Sequence, residues 1–242
     1  MPNHVTTTIH MKGSQNDLNK LRRLVDTEEY PRKNSVETSA FDFEVIIPGG
    51  TASNKDWYNW RCENWGTKWN SYDANWSEDN TCVSFQTAWS MPYPLLQAVA
   101  LMFPNITFVI GYADEDQGSN CGVMFLKNDY ENTIDASGWG RDTAMPKPIA
   151  LAFARTMWND EIKTLTDWAE EQGYKSIAQA KKDYEGDDFF EFLRSSFVVK
   201  HPILKLAYLI ANETILDIIK FLKQKNSIKF LKVDTLNTLI ES

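Results

Sequence analysis

Residues 81–114 read TCVSFQTAWSMPYPLLQAVALMFPNITFVIGYAD, and three elements are written into them. Thr81 to Thr87 alternates apolar with polar side chains, the period of a half-buried strand. Pro92 opens a helix that runs through Phe103, with Leu95, Leu96, Val99, Ala100 and Met102 on its apolar side. Pro104-Asn105 stops it, and Ile106 to Ala113 is a strongly apolar strand. The same order occurs upstream. Val5 to Met11 is β-branched and reads as a strand, and Gly13-Ser14 breaks it. Leu18, Leu21, Leu24 and Val25 then recur at helical spacing, which predicts a helix over 14–26 capped by Ser14 or Asn16. Phe41, Phe43, Val45 and Ile47 alternate, which predicts a second strand over 39–47, ended by Pro48-Gly49-Gly50.

Strand–helix–strand twice over is the split βαβ, or ferredoxin-like, pattern: an α+β domain with an antiparallel sheet backed by two helices. Cys121–Leu126 and Asn132–Ser137 read as a hairpin beyond it. Residues 51–80 separate the two halves as a Trp-rich insertion, with a short helix near 55–64 and a strand over Thr67–Asp73. From Pro146 strand signals vanish. Helices are expected over 147–159, 161–172, 176–185, 188–197 and 202–224, the last with an apolar surface broad enough to be the centre of a helical domain. The stretch 138–147 is the boundary, giving a ferredoxin-like domain over 1–140 and an all-helical domain over 146–242.

The chain of 242 residues is 43% apolar and 24% charged, an ordinary globular composition. Its net charge of −8 is uneven: residues 1–145 hold 11 Lys/Arg against 19 Asp/Glu, and residues 146–242 hold 14 of each. Phosphate contacts dominate nucleic-acid affinity, so the acidic first part argues against DNA or RNA binding there. The excess serves solubility, and it would also steer a basic partner. Three cysteines, Cys62, Cys82 and Cys121, show no C-x-x-C spacing and predict reduced thiols and a cytoplasmic location. The start, Met1-Pro2-Asn3-His4, lacks the basic and apolar regions of a signal peptide, and no apolar run is long enough to span a membrane.

The turn Asp114-Glu115-Asp116-Gln117-Gly118-Ser119-Asn120 carries most of the chemical potential. Asp114, Asp116 and Asn120 are the oxygen ligands that a hard cation would use, although the spacing is not that of a Ca²⁺ loop. The other reading is a solvated acidic turn or a docking surface for a basic partner. His4 and His10 share a face of the first strand, and with Asp114, Glu115 and Asp116 they would make a hydrolytic site if the strand ends meet. No GxSxG, HExxH, phosphate-binding loop or GxGxxG occurs, and no catalytic residue or cofactor is assigned. The Trp cluster at 57–89, with Trp57, Trp60, Trp65 and Trp69 at helical spacings, reads as a packed lobe over the sheet or as an exposed aromatic patch for a protein, with sugar stacking as a third reading. The residues expected to meet a partner are Trp65, Lys68, Trp69, Asp114, Glu115 and Asp116.

Met1-Pro-Asn-His-Val5, Glu63-Asn-Trp-Gly-Thr-Lys-Trp69, Phe85-Gln-Thr-Ala-Trp-Ser90 with Pro92, and Tyr112-Ala-Asp-Glu-Asp116 together resemble the uncharacterised phage and plasmid proteins that carry a YubB-type ferredoxin-like domain. The resemblance covers roughly residues 1–140. It implies a ferredoxin-like fold and a home on bacterial mobile DNA, and it brings no catalytic residues. The expectation is a protein that binds a host or mobile-element protein, as an inhibitor of a bacterial defence system. A metal-dependent hydrolase of nucleotides or nucleic acid is one alternative, and a structural or assembly protein that self-associates through 202–224 is the other.

Overall fold

The computed structural model describes residues 2–32, 38–51, 54–116, 120–135, 147–158 and 202–222. Six strands form one antiparallel sheet: β1 (His4–Lys12), β2 (Tyr72–Trp76), β3 (Cys82–Ala88), β4 (Thr107–Asp114), β5 (Cys121–Lys127) and β6 (Tyr130–Asp135). Their order is β2-β3-β1-β4-β5-β6. The first four make the ferredoxin-like quartet, and the β5–β6 hairpin widens it beyond β4. That hairpin turns at Asn128, whose φ of 53° is one Asn accepts more readily than most side chains.

Helices α1 (Gln15–Val25) and α3 (Tyr93–Met102) pack on one face. Ser14 caps α1 by accepting from the Asp17 amide at 3.2 Å, and Leu18, Leu21 and Val25 form its buried stripe. They meet Val5, Ile9 and Met11 of β1, Val83 and Phe85 of β3, and Phe108, Ile110 and Tyr112 of β4. The opposite face carries Val109, Ala113, Cys121, Val123 and Phe125. Three C-terminal helices bury against it: α4 (Lys147–Met157), α5 (Pro202–Asn212) and α6 (Ile215–Leu222). With both sides covered, β4 is buried along its whole length, which is why Ile106–Ala113 reads as a continuous apolar run instead of an alternating one.

Three expectations change. The strand expected over Thr67–Asp73 starts only at Tyr72 and runs to Trp76 as β2. Residues 39–47 are not a strand; Phe43–Val45 is a single 3-10 turn. Side chains take the amides that a ladder would need. Asp42 accepts from the Glu44 amide at 3.0 Å, Asn70 accepts from the Phe43 amide at 2.8 Å, and Glu44 accepts from Gly49 and Gly50. Phe41 and Phe43 are both buried, Phe41 stacked on Phe85 at 5.0 Å, so the alternation reflects packing and not a pleat. The second strand of the quartet is β2, and the inserted segment therefore lies between α1 and β2. The expected helix over 202–224 is two helices, broken at Glu213-Thr214. Thr214 starts the second: its hydroxyl donates to Asp217 at 2.7 Å and its oxygen accepts from the Asp217 amide at 3.4 Å. The helices expected over 161–172, 176–185 and 188–197, and the boundary over 138–146, lie outside the described residues. Among the described residues no helix is long and apolar enough to cross a membrane.

Candidate functional site

Register brings five chain segments to one end of the sheet. His4 pairs with Ala88, Val5 with Asp114, Ala113 with Cys121 and Tyr72 with Gln86. The start of β1, the ends of β3 and β4, and the starts of β2 and β5 therefore lie together. Hydrogen bonds tie the loops across them. The Trp89 amide donates to Asn3 O at 2.8 Å, and the Glu115 amide donates to His4 O at 2.9 Å. Asn120 Nδ2 donates to Trp89 O at 2.8 Å, and Asn3 Nδ2 donates to Asp116 Oδ2 at 2.8 Å.

On this frame stands an aromatic group. Trp89 is 41% exposed and holds a left-handed backbone, φ 71°. Tyr58, from helix α2 (Trp57–Asn64), is 40% exposed and meets the Trp89 ring edge to face at 6.0 Å. Lys68 Nζ lies 4.7 Å from the Trp89 ring centre, 5.4 Å from Trp69 and 5.8 Å from Tyr58. Trp69 packs edge to face on Tyr72 at 6.1 Å. Tyr72 Oη lies 2.5 Å from His4 Nδ1 and 3.2 Å from Thr87 O, so its single proton serves one of them and the imidazole tautomer decides which. Burial, then the carboxylates of Asp73 and Glu115, push the Tyr72 phenol up to about 12, so it stays protonated.

The residues singled out from sequence separate into two groups. Lys68, Trp69, Glu115 and Asp116 come together at this end with surface to offer, and Glu115 and Asp116 are exposed. Trp65 does not belong with them. It is 1% exposed, its indole donates to Ile47 O at 2.8 Å, and Phe43 and Trp60 meet it edge to face. Gly50 is pressed against it: a Cβ there would lie 2.5 Å from the ring. Asp114 is buried too, and it accepts from the Asp116 amide at 2.9 Å and from Asn120 Nδ2 at 2.8 Å. It braces the turn. Trp89 and Tyr58 are missing from the sequence-based set. The exposed Trp sits just past the end of an alternating strand and before Ser90-Met91-Pro92, and that position was its only signal.

His4 reaches Glu115 through its backbone: the His4 amide donates to Glu115 Oε1 at 2.8 Å. His10 points elsewhere. It is buried, and its Nε2 donates to Ile210 O of α5 at 2.7 Å. Its pKa is held below the ordinary imidazole value by burial, against the opposing pull of that carbonyl and of Asp79. Among the described residues no three His, Cys, Asp or Glu side chains are grouped to hold a metal ion. Asp114, Asp116 and Asn120, the possible cation ligands, hydrogen-bond to one another and to Asn3 and Trp89.

Residues 64–146 match a family described as the ferredoxin-like domain in Api92-like protein. The match spans β2, β3, α3, β4, β5 and β6, and β1 is added from outside it as the strand between β3 and β4. No curated protein and no solved structure matches the chain. The Api92-like match agrees with the observed sheet, and a fold of this type supports many unrelated functions.

Proposed function

We propose that the chain acts by binding a basic partner protein with the surface at this end of the sheet. Trp89 carries the reading. A large apolar side chain is held out to solvent on a backbone conformation that costs about 1–2 kcal/mol for a residue with a Cβ. Three segments hold it there. Trp and Tyr dominate binding hot spots, and Tyr58 stands beside it. The exposed carboxylates of Glu115 and Asp116 and the acidic balance of residues 1–145 give the surface a field that draws a cationic partner. The resemblance to phage and plasmid proteins supports a host protein in the bacterial cytoplasm as the natural partner, and a component of a defence system is the target to try first.

The test is affinity capture from bacterial lysate, followed by titration of the purified partner. Trp89→Asn keeps a residue that tolerates the left-handed backbone, and it is combined with Tyr58→Ser. Loss of a hot-spot pair weakens binding by about 30-fold or more, a difference of at least ~2 kcal/mol. Association slows as salt rises. The absence of a stoichiometric partner, together with unchanged phage and plasmid survival on expression, refutes the proposal.

A further inference from the structure

We infer that Tyr58, Trp69 and Trp89 form a cage for an alkylammonium group, which Lys68 fills in the free chain. The ligand class is a lysine side chain, or its methylated form, carried by a basic partner. The inference rests on the sheet-end surface being the interface, and its test reads the cage separately.

The geometry is specific. One ammonium lies within 4.7–5.8 Å of three ring centres, the range in which the negative face of an aromatic ring attracts a cation. The rings are braced edge to face: Tyr58 by Trp57 at 6.0 Å and by Trp89, and Trp69 by Tyr72. Among the described residues no carboxylate or carbonyl accepts a hydrogen bond from Lys68, in a chain with an excess of carboxylates. The rings are its partner. A primary ammonium gives up strong hydration to sit there, whereas a methylated one is less hydrated and suits an aromatic cage better. Two walls, Tyr58 and Trp89, are open to solvent, so a second ammonium can approach once Lys68 swings out on its flexible stem.

Lys68 is then a competitor built into the chain. Its occupancy lowers apparent affinity for an external ammonium by the fraction of time that the cage is filled. Cation–ring attraction of the size seen in such sites corresponds to roughly 2- to 30-fold in that occupancy.

Choline serves as the probe, and 3,3-dimethylbutan-1-ol serves as its uncharged analogue. Tryptophan fluorescence of the full chain is titrated with each. Lys68→Ala should bind choline about tenfold more tightly than the native chain. Lys68→Gln, which keeps only the first part of the stem and replaces the ammonium with a neutral amide, should also bind more tightly. The neutral analogue should bind neither variant measurably, and adding Trp89→Asn to Lys68→Ala should abolish the gain. Circular dichroism and the urea midpoint confirm that each variant is folded. Equal choline binding by the native chain and both variants overturns the inference, and so does equal binding of the neutral analogue. If choline fails while a partner is still captured through Trp89, the cage is wrong and the interface stands. If choline binds and no partner is found, the aromatic site for an ammonium stands, and its assignment to a basic partner falls with the interface.

Discussion

Gly111 is a point of close approach between the sheet and the C-terminal helices, and Gly111→Ala measures that packing directly. A Cβ at this position would lie 2.7 Å from Ile210 Cγ2, 3.0 Å from Met157 Cε and 3.1 Å from Met157 Sδ. Carbon atoms at rest sit about 3.5–4.0 Å apart, so the overlap with Ile210 is close to 1 Å. Met157 can give way with its flexible end. Ile210 cannot move as easily, because its carbonyl accepts from the buried His10 at 2.7 Å. Overpacking of this kind costs about 1–3 kcal/mol. Replacing glycine restricts the unfolded chain, which returns about 0.4–1 kcal/mol. The net loss is about 1–2 kcal/mol, a fall in Tm of roughly 2–8 °C for a chain of this size. Urea unfolding followed by tryptophan fluorescence gives the number. Ile210→Ala removes the clashing methyl and is itself destabilising, by about 2–5 kcal/mol. The double variant should therefore cost less than the two single changes added together. If Gly111→Ala is as stable as the native chain, or if the two changes simply add, the helices are not seated on β4 as described.

Three further outcomes follow from the same packing. The His10 pKa is lowered in the folded chain, so below about pH 6.5 the unfolded chain binds more protons and stability falls as pH drops. His10→Gln should flatten that fall between pH 7.5 and 5, measured as urea midpoints, and an equal slope in both chains would refute it. Trp65→Ala removes a fully buried indole and should cost about 3–5 kcal/mol without touching the sheet-end surface. A loss under about 1 kcal/mol would place Trp65 outside the core. Burial pushes the Cys82 thiol up to about 12, and Cys121 is buried with its S–H donating to Ala150 O at 3.3 Å. Alkylation of the native chain at pH 8, read by mass spectrometry, should therefore label Cys62 first; early labelling of Cys82 would contradict its setting.

Local signals survive into the structure where one element's own side chains decide it. Ser14-x-x-Asp17 ahead of Leu18, Leu21 and Val25 sets α1, Pro92 and Pro94 set the start of α3, and the alternation through Cys82–Ala88 sets β3. Residues 39–47 had equally good alternation and failed. Their fate depended on Asn70, nearly 30 positions away, and on Phe85, which stacks on Phe41. A period in the sequence cannot show which distant group will claim an amide.

The strand–helix–strand order of residues 81–114, the apolar run of β4 and the acidic balance of the first 145 residues follow from composition and pattern alone, because each is a property of neighbouring residues. The aromatic end of the sheet was decided by tertiary structure. Tyr58, Lys68 and Trp89 lie on three segments, and only the β1–β3 and β1–β4 registers and the loops they carry bring those segments and the Glu115–Asp116 turn together. The same packing that exposes Trp89 buries Trp65. Trp65 lies ahead of β2 and packs on Phe43 and Ile47, whereas Trp89 lies past β3 with its backbone tied to Asn3 and Asn120; which of the two the core closes on is a long-range outcome that spacing along the chain does not encode.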